Sequence, residues 1–212
     1  MGLTVWRRRA TTAAEGGESP VVDTGPDWST LIAGIEGCQR CPLHATRNRA
    51  VPGVGDRAAR LMIIGEAPGA EEDRRGEPFV GRAGRLLDAM LAAIGLDRDQ
   101  GVFITNVIKS RPPENRDPKA AEIDACRPWL DAQLELIRPA AILAVGRVSA
   151  QSLTGSSRTI GKLRNQWHAV GEAGIPLRAT YHPAYLLRRP PAKAQAWDDL
   201  VMLKRYLREV TA

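Results

Sequence analysis

No stretch of the 212-residue chain reaches the run of about 18 apolar residues that a bilayer-spanning helix requires. The amino terminus places Arg7, Arg8 and Arg9 ahead of any apolar segment and has Trp6 where a myristoylation signal has Ser or Thr. A secretory signal and N-myristoylation are both unexpected, and a soluble, cytoplasmic protein with no membrane contact is the expectation. Neither Gly-x-Gly-x-x-Gly nor Gly-Lys-Ser/Thr occurs, so no nucleotide cofactor is expected. Cysteine is scarce. The three present, two of them in Cys38-x-x-Cys41, form an odd set that argues against a disulfide framework and fits metal or cluster ligation in a reducing compartment. There is no internal repeat.

The length suits one domain with a sizeable core. A formal charge of +6 suits a polyanionic partner without distinguishing nucleic acid from a membrane surface or from simple solubility. Residues 1–26 are rich in Gly, Thr, Ala, Ser and Pro without apolar periodicity and read as a disordered tail. Residues 27–212 read as the single domain.

Leu61 to Gly65 is a short apolar run bounded by turn formers, the pattern of a strand buried on both faces. The turn Glu66-Ala67-Pro68-Gly69 then exposes backbone N–H groups and one carboxylate at its carboxyl end. Val102 to Ile108 is a second strand by its β-branched and aromatic content, and the prolines of Lys109 to Arg116 end it. Ala140 to Gly146 and Leu177 to Tyr181 are further strands, with Trp167 to Val170 as an edge strand. A helix opens at Asp27, and another from Ala83 carries Leu86, Leu87, Met90, Leu91 and Ile94 at helical spacing. A third is capped by Asp117 with Pro118 at its first position and kinks or breaks at Pro128 before Ile137. Arg147 to Leu153 and Ala192 to Val210 complete the set, the last with Trp197, Leu200, Leu203 and Leu207 inward; Ala70 to Arg82 reads as a polar loop. Strands alternating with helices mean an α/β fold built from parallel βαβ units.

In such a sheet the carboxyl ends of the strands share one edge, where ligands bind. Glu66, Asn106 and His182 all follow strands, so a carboxylate, an amide and an imidazole are expected to converge on one small ligand.

Four linked segments resemble the family 4 uracil-DNA glycosylases, base-excision repair enzymes that carry a 4Fe-4S cluster. They are Gly65-Glu-Ala-Pro-Gly69, Pro78-Phe-Val-Gly-Arg-Ala-Gly84, Thr105-Asn-Val-Ile-Lys109 with Arg111 to Pro118, and His182-Pro-Ala-Tyr-Leu-Leu187. The resemblance covers about Cys38 to Val210. It implies a monomeric, monofunctional hydrolase acting on uracil-containing DNA, with a three-layer α/β/α sandwich around a central, mostly parallel four-stranded sheet.

The resemblance also assigns roles. Phe79 is the stacking platform for a flipped base, Asn106 reads O4 and N3–H of uracil, and the backbone N–H groups of Glu66 and Ala67 hold the other uracil oxygen. His182 stabilises the departing uracil anion. Glu66 positions water or stabilises the sugar cation, held by Asn115; related families place an Asp at the position of Ala67. Leu186 or Leu187 fills the vacated stack while Arg188 and Arg189 hold phosphates. Independently of the resemblance, the charges of Arg158, Lys162 and Arg164 read either as a second candidate phosphate patch or as a solvated surface. Cys38, Cys41 and Cys126 match three cluster ligands, but Ser110 stands at the fourth position. A 4Fe-4S cluster with a serine oxygen or His44 at the fourth iron, a 3Fe cluster, an empty site or zinc are the alternatives there. The rival function is a non-catalytic or altered-specificity DNA-binding member of the superfamily.

Overall fold

The computed structural model describes residues 27–210, so the expected tail lies outside the described residues. Asp27 opens α1 (Trp28–Glu36), its carboxylate accepting from the Thr30 N–H at 2.8 Å. The short β1 (Val54–Gly55) precedes β2 (Leu61–Gly65), which is buried at every residue. The segment expected to be a polar loop contains α2 (Ala70–Arg75). It is too short to show apolar periodicity, but Glu71 to Asp73 in its first turn and Arg74 and Arg75 in its last match the helix dipole.

Next come α3 (Arg82–Ala93), β3 (Val102–Asn106) and α4 (Ala120–Ile137). α4 begins beyond Asp117 and Pro118, because the Glu122 carboxylate accepts the Lys119 N–H at 2.8 Å and caps it there. Pro128 lies inside the helix, which continues as one element. β4 (Ala141–Val145), α5 (Arg147–Thr154), α6 (Ile160–Leu163), β5 (Trp167–Val170) and β6 (Ile175–Thr180) follow. The chain ends in α7 (Pro183–Arg188) and α8 (Lys193–Glu209).

The sheet has six strands in the order β1-β3-β2-β4-β6-β5. Its four central strands are parallel, as expected, and the antiparallel β1 and β5 extend it at each edge. β1 covers only Val54 and Gly55, which leaves no alternation to read in the sequence.

Side chains alternate across the sheet and so build two cores. Met62, Ile64, Ile142 and Ala144 pack with Cys126, Leu130 and Leu134 of α4. Ile63, Leu143 and Val145 pack with Leu87 and Leu91 of α3 and Leu200 and Leu203 of α8. Burying each large apolar side chain contributes about 1.5–3 kcal/mol, enough to fix the register of the middle strands. This is the expected three-layer α/β/α sandwich. Trp197, expected inward, is 46% exposed on the outer side of α8.

Candidate active site

The connections leaving β2 and β4 diverge to opposite sides of the sheet, which opens a crevice at the carboxyl ends of the strands. Gly65 and Asn106 are the last register partners of β2 and β3, so the Glu66 turn and the Asn106 side chain lie next to one another. His182 follows β6 at the same edge. A cavity of about 460 Å³ is lined by Glu66, Ala67, Glu72, Phe79, Asn106, Asn115, Arg116, His182 and Arg188. The structure therefore brings together the three strand-end groups and Phe79.

Gly65 is there because nothing larger fits. A Cβ at this position would stand 2.3 Å from Asn106 Oδ1 and 2.7 Å from Phe79 Cζ. Phe79 takes a left-handed φ of 54° and is 5% exposed, with its ring 5.6 Å from that of His182. Its loop is held by Glu72, whose Oε1 accepts the N–H groups of Val80 at 3.0 Å and Gly81 at 3.1 Å. Glu72 carried no signal of its own in the sequence, since it belongs to a run of charges in a supposed loop.

Asn106 is anchored from below by the buried Lys109. Its Nζ donates to Asn106 O, Thr105 Oγ1 and Gln133 Oε1, each at 2.7 Å. Burial pulls this amine down to about 7. Three acceptors need three donors, however, and only the protonated form has them.

His182 begins α7, and its Nδ1 accepts the Ala184 N–H at 3.1 Å. That bond leaves the proton on Nε2, which is the donor available to a ligand. Burial, reinforced by Arg188, pulls the imidazole down to about 4, so it is neutral at physiological pH. Glu66 behaves in the opposite sense. Burial and the nearby Asp117 carboxylate push it up to about 7, against the attraction of Arg147. Asp117 is itself ion-paired with Arg147. Its place beside Glu66 was hidden in the sequence by the Asp-Pro pair, which reads as a helix cap.

Several expectations need correction. Asn115 lines the cavity, but its Oδ1 accepts from Arg111 Nε at 2.8 Å, and Asp117 is the side chain that contacts Glu66. Leu186 is 1% exposed within the α3–α8 core, so it has no surface to insert into DNA. Leu187, at 37% exposed, and the exposed Arg188 and Arg189 remain. Arg164 leaves the second phosphate patch because it is buried and ion-paired with Asp199 at 2.6 Å; Arg158 and Lys162 are exposed.

A family model described as the uracil DNA glycosylase superfamily matches residues 52–201. The chain belongs to the uracil DNA glycosylase superfamily. It is 42% identical over 182 residues to a type-4 uracil-DNA glycosylase of Pyrobaculum aerophilum, covering 83% of this chain and 92% of that one. It is 43% identical over 175 residues to the type-4 enzyme of Archaeoglobus fulgidus, covering 80% and 87% respectively. A third type-4 enzyme, from Sulfurisphaera tokodaii, is 48% identical over 174 residues, 79% of each chain.

The cysteines of this superfamily member lie on the α4 side of the sheet. Cys126 is buried in that core with Cys41 packed against it, and Cys38 Sγ accepts the Trp129 indole N–H at 3.2 Å. Cys126 Sγ accepts the Lys109 N–H at 3.3 Å. Such N–H···S bonds suit thiolate ligands. Among the described residues no group of three or more His, Cys, Asp or Glu is arranged to hold a metal ion. The fourth position fits less well, for Ser110 Oγ accepts from Arg47 Nη1 at 2.8 Å while Arg47 Nη2 is fixed on Glu36 O at 2.6 Å. The His44 Nδ1 is likewise engaged, with Cys41 O at 2.8 Å.

Proposed function

We propose that the protein is a DNA-repair hydrolase that flips uracil out of DNA, cleaves its N-glycosidic bond and leaves an abasic site. The observation that carries this reading is the grouping of an amide, an aromatic face and a neutral imidazole around one cavity. The amide of Asn106 offers a donor and an acceptor to O4 and N3–H of uracil, and cytosine presents the reverse pattern. Phe79 supplies the stacking face for a base taken out of the duplex.

When the N1–C1′ bond breaks, its electron pair leaves with uracil and positive charge develops on the sugar. His182 Nε2–H donates to the departing anion. A neutral donor suits this role, since it needs no proton from solution. Glu66 faces the sugar, where its carboxylate stabilises the cation and accepts the proton of the water that bonds to C1′. Exposed Leu187 fills the vacated stack, with Arg188 and Arg189 on phosphates. Cys38, Cys41 and Cys126 would hold an iron–sulfur cluster, with Ser110 at the position of the remaining ligand, its Oγ already taken by Arg47. The cluster would tie these segments together and supplies no redox step, since hydrolysis needs none. The protein acts as a monomer in the cytoplasm.

The test is incubation with single- and double-stranded oligonucleotides containing uracil, hypoxanthine or xanthine, scored for abasic sites and covalent adducts. Abasic sites at uracil are expected. Glu66→Ala and His182→Ala should each lower single-turnover cleavage by about two orders of magnitude or more. Wild-type rates in both variants would overturn the role assignment, and binding without cleavage would favour a non-catalytic module.

A further inference from the structure

Asn106 O is the last carbonyl of β3, and its partner is the ammonium of Lys109 at 2.7 Å. Lys109 is 2% exposed, and Thr105 Oγ1 and Gln133 Oε1 take its other two protons. Those two acceptors are themselves fixed. Thr105 Oγ1 donates to Pro52 O at 2.8 Å, and Gln133 Nε2 donates to the same oxygen at 2.7 Å. The cation therefore has one position.

What lies beyond it follows from the peptide bonds. The Asn106 carbonyl shares its peptide group with the Val107 N–H, which donates to Gly65 O at 2.9 Å. The Gly65 carbonyl shares its peptide group with the Glu66 N–H. That N–H makes no hydrogen bond among the described residues, and Glu66 lines the cavity. Hydrogen-bonded peptide groups in series polarise one another, and a buried charge at one end strengthens the donor at the other.

We propose that Lys109 is a positioning residue whose buried ammonium, through two hydrogen-bonded peptide groups, polarises the Glu66 N–H toward the uracil oxygen that takes up charge as the base departs. The inference rests on the uracil-excision reading above. The same ammonium holds the backbone of Asn106, so the reader of the base edge and the donor to its oxygen share one anchor.

The experiment compares uracil with 5-fluorouracil, whose anion leaves with less assistance. In single-turnover cleavage, Lys109→Met is expected to lose about tenfold or more on uracil and clearly less on 5-fluorouracil. Equal losses on both bases, or none on either, would overturn the proposal. Gln133→Leu removes one acceptor but leaves the bond to Asn106 O, so it should keep the wild-type ratio between the two bases. A ratio matching that of Lys109→Met would point to packing instead. All preparations are matched for iron and sulfide, because the Lys109 N–H also contacts Cys126. Should Lys109→Met fail to fold, Lys109→Gln, which donates an uncharged hydrogen bond, should give a smaller change in the same ratio, and an unchanged ratio would overturn the proposal. Amide proton shifts of Val107 and Glu66 should move upfield in the folded variant. They decide the relay even if the wild-type protein excises no uracil, a result that would refute the function alone; unmoved shifts would refute the relay.

Discussion

The ring of Phe79 lies against that of His182, with centroids 5.6 Å apart and planes inclined by 29°. The proposed base platform and the proposed leaving-group donor are thus packed on each other.

Gly65 is the hinge of that arrangement, since an added Cβ would meet both Asn106 Oδ1 and Phe79 Cζ. Displacing catalytic groups by about 1 Å can cost roughly 100-fold in rate. Gly65→Ala should therefore lower single-turnover excision by about two orders of magnitude, while overpacking costs about 1–3 kcal/mol of stability. Rapid-quench kinetics beside thermal melting separate the two; an active Gly65→Ala variant would show that the pocket adapts.

The rate should rise with pH through about 7 as Glu66, raised by burial and Asp117, loses its proton. His182, already neutral above its value of about 4, adds no limb near neutrality. Asp117→Asn removes a like charge, lowers the Glu66 value and shifts the limb to lower pH. A pH–rate profile of both proteins checks the shift, and coincident limbs would sever Asp117 from Glu66.

Leu186 and Leu187 should respond in opposite ways. Leu186→Ala empties a core position and should cost about 2–5 kcal/mol, read by denaturant unfolding. Leu187→Ala should stay within about 0.5 kcal/mol of wild type. It should nevertheless slow excision from duplex more than from single-stranded DNA, because only the duplex has a stack to fill. Equal slowing on both substrates would remove Leu187 from the wedge role.

Restoring a thiol should strengthen the cluster site. Ser110→Cys is expected to raise iron and sulfide per chain and the visible absorbance of anaerobically purified protein. Unchanged iron content would mean that Arg47, fixed on Glu36 O and position 110, keeps the fourth corner closed.

The central strands were legible because residues buried on both faces form continuous apolar runs, as in Leu61 to Gly65 and Ala141 to Val145. The convergence of Glu66, Asn106 and His182 on one cavity was legible because parallel strands deliver their ends to one edge. α2 escaped because its six residues have no apolar face to show a period, and its buried Asp73 is held by Asn48 from distant sequence. Arg164 misled, and the anchoring role of Lys109 went unread, for a related reason. A basic residue reads as surface until its buried partner, Asp199 or the Thr105–Gln133 pair, is brought to it from distant sequence.

His182 caps the helix whose exposed turn carries Leu187 and whose end carries Arg188. Six residues of one short rod thus join the proposed leaving-group donor to the side chains proposed to meet the duplex. On the proposed roles, one short helix sets a fixed separation between the imidazole at the base and the side chains at the duplex.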